Sequence, residues 1–69
     1  MRKKLINTRE KKHLTQAEMA KQLNVSVRQY QNLEAGTSDG SIRVWQRLKE
    51  ITGESIDYLL EQENNPKEV

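Results

Sequence analysis

Within residues 26–35, SVRQYQNLEA, helical spacing would place Val27, Arg28, Gln31 and Asn32 on one face and Tyr30 and Leu33 on another. The first face is rich in groups that form paired hydrogen bonds to the edges of bases. A guanidinium such as Arg28 matches guanine O6 and N7, and an amide such as Asn32 matches an adenine edge. Gln31 adds a second amide. Val27 offers only an apolar contact, most naturally with a thymine methyl, and reads equally well as an ordinary helix-start residue. This is recognition chemistry, not bond-making chemistry. Catalysis would need a nucleophile with its base, paired carboxylates in a cleft or a metal set. The chain has one His, no Cys and carboxylates mostly in its C-terminal half, and its three Gly are isolated. No catalytic residue, metal, cofactor or small-molecule ligand is expected.

The elements that must hold this face are marked by start signals. Thr15 precedes Glu18 by three residues, and Ser26 precedes Gln29 by three. Both pairs fit the capping box, in which a hydroxyl and a carboxylate or amide satisfy free N–H groups at a helix start. Ser26 and Gln29 therefore read either as a cap or as phosphate holders. Asn24, between the boxes, tolerates a left-handed backbone. Helix, turn at Asn24 and second helix make a helix-turn-helix outline. Ala17, Ala20 and Leu23, with Met19 beside them, are the expected inner positions of the first helix. Tyr30 and Leu33 serve the second, with the Tyr30 hydroxyl reaching the edge, and Val25 plugs the angle between the two.

Residues 14–36, LTQAEMAKQLNVSVRQYQNLEAG, resemble the DNA-binding motif of phage Cro and lambda-type repressors, the XRE family of bacterial regulators. The Leu-Thr-Gln-Ala-Glu opening and the Leu-Glu-Ala-Gly closing carry most of the likeness, which extends over about residues 5–60. The resemblance implies an all-α, compact five-helix lambda-repressor-like domain. It also implies an ion pair between Arg9 and Glu34, which two independent surface charges would replace if Arg9 does not face inward with Leu5. Gln16 occupies the position that touches the DNA backbone in the family, at a helix start whose free N–H groups attract phosphate. A generic helix-start residue is the plainer reading of Gln16, and a solvated lysine that of Lys21, the next phosphate candidate. His13 stands where relatives often carry a helix-ending Gly, and as a lone His it is read as structural. Family members often dimerise around the last helix, which makes Ile56 and Tyr58 the candidate partner contacts.

The rest of the chain supports one domain. Its 69 residues give a limited core, and without Cys no disulfide staples it. No apolar run approaches the roughly 20 residues of a membrane span. The basic start, Met1 to Lys4, is not followed by the apolar stretch of a signal peptide. A cytoplasmic, bacterial or phage-encoded, nucleoid-associated protein is the expectation. The net charge of +2 conceals an asymmetry. Residues 1–30 hold eight Lys or Arg against two Glu, and residues 31–69 hold four against eight acids. The basic half is the side expected to face phosphate.

A first helix is expected over residues 2–12, with Leu5, Thr8 and Arg9 on one face. Residues 36–40, GTSDG, form a turn-rich connection where several relatives carry Lys or Arg and this chain carries Asp39, which repels phosphate. Thr37, Ser38 and Arg43 remain as anchors there. Ser41 caps a fourth helix with Ile42, Trp45, Leu48 and Ile51 inward, and Thr52-Gly53 ends it. Ser55 caps a fifth segment with Ile56, Leu59 and Leu60 inward. The domain is expected over residues 1–63, followed by a flexible tail over 64–69.

The reading that follows is a transcriptional regulator, a repressor in the first instance, binding double-stranded DNA as a homodimer on a near-palindromic operator. With no room for a sensing or cleavage domain, it resembles Cro or a bare repressor headpiece. The rival reading is an antitoxin or adaptor whose main partner is another protein, with DNA binding secondary.

Overall fold

A computed structural model describes residues 1–62. The expected tail at 64–69, and the end of the domain expected at residue 63, lie outside the described residues. Five helices follow one another among the described residues: α1 (Lys3–Lys11), α2 (Gln16–Leu23), α3 (Val27–Ala35), α4 (Ile42–Thr52) and α5 (Ile56–Leu60). Among the described residues there is no strand. This is the all-α, five-helix arrangement that the resemblance to lambda-type repressors implies. Helix α2 packs most extensively on α3, while α1 lies against α5 and α3, and α4 bridges α2 and α5.

Local sequence accounts for where each helix starts and stops. Thr15, Ser26, Ser41 and Ser55 each accept a hydrogen bond from the backbone N–H three residues on, satisfying a donor that the helix itself cannot. The chain leaves α1 through His13 at φ 60° and leaves α2 through Asn24 at φ 59°. Both are left-handed positions, held by the two residue types that the sequence offered for them.

The core is Leu5, Met19, Ala20, Leu23, Tyr30, Leu33, Trp45, Leu48 and Leu59. Each of its large side chains contributes about 1.5–3 kcal/mol relative to exposure. Val25 packs against this cluster from the turn, and Ile51, Ile56, Tyr58 and Leu60 from the later helices.

Three expected placements change. Ala17 is exposed, whereas Met19 is fully buried. Counting from Gln16, the inner stripe is i, i+3, i+4, i+7, which selects Gln16, Met19, Ala20 and Leu23 and leaves Ala17 about 100° round the helix. Ile42 is 76 % exposed. A strict three-residue spacing drifts by about 60° per step on a helix of 3.6 residues per turn. The stripe of α4 therefore centres on Trp45 and Leu48, with Val44 and Ile51 half-buried on its flank, and Ile42 swings out. The Tyr30 hydroxyl does not reach the edge of the molecule. It is buried with its ring and donates to Glu34 Oε2 at 2.6 Å.

Among the described residues no helix is long and apolar enough to cross a membrane. No cluster of three or more His, Cys, Asp or Glu there could hold a metal.

Candidate nucleic-acid interface

Helix α3 is fixed at its start by a reciprocal cap. Ser26 Oγ accepts from the Gln29 N–H at 3.0 Å, and Gln29 Oε1 accepts from the Ser26 N–H at 2.8 Å. The cap occupies one acceptor on each residue and leaves the Ser26 hydroxyl proton and the Gln29 amide N–H groups for a phosphate. Upstream, the left-handed turn at Asn24 folds the chain so that the Val25 N–H reaches Ala20 O at 3.0 Å. That bond closes the C-terminal end of α2 at the turn.

The far end of α3 is held by a residue the sequence did not single out. Arg2 is 2 % exposed. Its backbone N–H donates to Glu34 O at 2.8 Å, and its Nη1 donates to Leu33 O at 2.7 Å and Ser38 O at 2.8 Å. Its Nε reaches Leu60 O at 3.2 Å, and the guanidinium carbon lies 5.2 Å from the centre of the Trp45 ring. One planar cation thus ties the end of α3, the following loop and α5 together. Nothing local distinguishes Arg2 from Lys3 and Lys4 except its fork of donors, which is what three carbonyls on different segments require.

The same end of α3 carries Glu34, 4 % exposed. Its carboxylate accepts from Arg9 Nε at 2.6 Å, from the Tyr30 hydroxyl at 2.6 Å and from Gln16 Nε2 at 2.8 Å. Arg9 Nη1 also donates to Leu14 O at 2.7 Å, closing the link between α1 and α2. Burial disfavours the Arg9 charge, but the hydrogen bond to Glu34 and its negative charge outweigh that and hold the Arg9 pKa above its ordinary value. Burial pushes the Tyr30 hydroxyl far up, and its bond to the Glu34 carboxylate adds to the shift. Three helices therefore converge on one acid carried by α3. Among the described residues no buried side-chain polar atom lacks a partner.

Against this anchored inner side, Val27, Arg28, Gln31 and Asn32 are all exposed. The side chains of Arg28 and Asn32 make no hydrogen bond or ion pair among the described residues. The Asn32 carbonyl, by contrast, closes the helix by accepting from the Gly36, Thr37 and Ser38 N–H groups. Gln31 differs from its neighbours, because its Nε2 donates to Gln16 Oε1 at 3.3 Å. Gln16, expected to touch phosphate, has its acceptor and one N–H engaged and retains one N–H.

Around this face, Lys21 is exposed on α2, and Arg43 is exposed at the start of α4, in a groove it shares with Asn24 and Val25. Thr37 Oγ1 donates to Asn32 O at 3.4 Å, and Ser38 Oγ accepts from the Gly40 N–H at 3.2 Å. Asp39, expected only as a repulsive group in the loop, has a structural task as well. Its carbonyl accepts from Trp45 Nε1 at 2.7 Å, and its exposed carboxylate lies 3.9 Å from Arg2 Nη2. At Gly40, φ is 71° and a Cβ would come within 2.7 Å of Leu33 Cδ2, so only Gly fits between this loop and the core.

On α5, Ile56 and Tyr58 are half-buried. Lys4 Nζ sits 4.8 Å from the centre of the Tyr58 ring and 2.7 Å from Glu61 Oε1.

A family model described as helix-turn-helix covers residues 5–59. No curated protein and no solved structure shows significant similarity to the chain.

Proposed function

The chain belongs to the helix-turn-helix family of Cro and lambda-repressor-type DNA-binding regulators, and on that premise we propose that it is a sequence-specific repressor acting as a homodimer on a near-palindromic operator. The α3 helix enters the major groove by its N-terminal end, presenting Val27 and Arg28 first and Gln31 and Asn32 a turn later. Arg28 pairs with guanine, Asn32 with adenine, and Val27 meets a thymine methyl. Gln16, Lys21, Ser26, Gln29, Thr37, Ser38 and Arg43 surround that helix and take the phosphates. Ile56 and Tyr58 form the contact between the two copies, which places the two α3 helices roughly 34 Å apart. Repression follows from occupying a promoter, in the cytoplasm of a bacterium or of a phage-infected cell.

The observation that carries the reading is the contrast within α3. Its inner side is fixed by Glu34, Tyr30 and Leu33, while Arg28 and Asn32 stand exposed and unpaired among the described residues. A helix so anchored presents polar groups without reorganising. The test replaces Arg28 and Asn32 with Ala in turn and measures affinity for the best selected duplex and for random duplex. Each replacement is expected to lower specific affinity by roughly tenfold or more while changing non-specific affinity much less. An equal effect on both duplexes would remove the base-reading role.

A further inference from the structure

Of the four side chains assigned to the base-reading face of α3, only Gln31 is tethered by a hydrogen bond to another helix among the described residues, and the direction of that tether has a chemical consequence. A glutamine amide turned by 180° exchanges donor for acceptor, so a lone Gln can present either to a base. Gln16 does not have this freedom. Its Nε2 lies 2.8 Å from Glu34 Oε1, and a carboxylate already bound to Arg9 offers acceptors only. The NH2 of Gln16 must face Glu34, so its carbonyl oxygen faces the other way, where it accepts from Gln31 Nε2. The NH2 of Gln31 is thereby drawn towards α2. Its carbonyl oxygen, without a partner among the described residues, is left as the leading group for a base.

We propose that Gln16 is a positioning residue for base selection: by holding the Gln31 amide through one N–H, it biases the operator position read by Gln31 towards a base that donates in the major groove. Adenine and cytosine carry such donors at N6 and N4, whereas guanine and thymine present acceptors there. Adenine is favoured over cytosine, since its N7 accepts the remaining Gln31 N–H. The chain of control runs from the Arg9–Glu34 pair through Gln16 to Gln31, so a buried ion pair sets the polarity of an exposed amide. This inference rests on the DNA-reading function proposed above.

The test uses the full chain and a duplex pool randomised at every operator position, with base preference read position by position. Two variants break the tether differently. Gln16→Lys still donates to Glu34, so the buried acid keeps its partner, but offers no acceptor to Gln31. Gln16→Met keeps the length of the side chain and does neither. Both are expected to reduce the adenine-or-cytosine preference at one position of each half-site by roughly two- to tenfold, the worth of one immobilised side chain. The positions read by Arg28 and Asn32 should stay as they are. Gln31→Ala should abolish the preference at that same position, and adding Gln16→Lys to it should change nothing further there. The inference is overturned if the Gln16 variants leave the base preference at that position unchanged, whatever they do to affinity for all sequences alike through the phosphate contact, or if Gln31→Ala alters no position. Arg28→Ala and Asn32→Ala in the same pool separate the two failures. If they still relax their own positions, only the Gln16–Gln31 coupling falls; if they too change nothing, the DNA-reading function falls with it.

Discussion

At the scale of single residues, the side chains that matter most to the geometry are those the sequence describes least. Glu34 and Arg9 were legible as a pair through the resemblance to the repressor motif, helped by the place of Arg9 on the inward face with Leu5, where a charge needs a partner. That Tyr30 and Gln16 would join the same carboxylate was not, since a phenol hydroxyl and an amide have many possible partners and only packing selects one. Arg2 was invisible for a similar reason: its acceptors are carbonyls from three segments, and carbonyls leave no mark in a sequence. The buried phenol makes a sharp prediction. Tyr30→Phe removes one of three donors from a buried carboxylate and should cost about 1–3 kcal/mol in denaturant unfolding. It should also change the alkaline behaviour. The folded-state pKa of Tyr30 lies above its ordinary 10.0, so the stabilisation linked to it is fully present below that pH and is lost as pH rises, once the unfolded chain ionises and the folded one does not. The Y30F variant should therefore show a shallower loss of stability above pH 10. An unchanged slope would mean that the hydroxyl is not buried against Glu34 as the structure places it.

At the scale of elements, the caps and turns were plain in the sequence because each is a short-range device with its own residue type. Both capping boxes, the left-handed Asn24 and the Gly53 helix end form where the spacing placed them. The orientation of helices about their own axes was harder to read. Ala17 and Ile42 were both assigned inward from a three-residue spacing, which drifts round a helix, so the bulk of Met19 and Trp45 decides which way each helix turns. The turn between α2 and α3 can be tested directly. Asn24→Ala puts a Cβ without a compensating polar group at φ 59°, and should lower stability by about 1 kcal/mol. A neutral result would show that the turn does not need a residue tolerant of left-handed geometry. The cap of α2 has its own pH signature. The backbone N–H of Thr15 and then its hydroxyl hold the Glu18 carboxylate below its ordinary value. Its contribution is therefore present above pH 4.5 and lost as pH falls through the depressed folded value. In Glu18→Gln that acid-side loss should be reduced, as followed by thermal unfolding between pH 5 and pH 2 (about the range over which carboxylates protonate).

At the scale of the whole molecule, the small net charge of +2 understates the attraction to DNA, because the charges are segregated along the chain. The basic first half carries α1, α2, the start of α3 and the exposed Lys21 and Arg28, while the acidic half carries the rest of α3, with Gln31 and Asn32, and the elements assigned to the partner contact. Phosphate-led binding should weaken linearly on a log–log plot against salt, with a slope of about −0.9 for each phosphate neutralised. A flat response would favour the reading as an antitoxin or adaptor that meets a protein first. The most direct measurement for the central claim, that the outer face of α3 reads base sequence, is selection of bound duplexes from a random pool by the intact chain. The account predicts an enriched motif with two-fold symmetry and half-sites one helical turn apart, whose guanine and adenine positions disappear in Arg28→Ala and Asn32→Ala respectively. A pool that stays random, or a motif that both variants leave untouched, would contradict it.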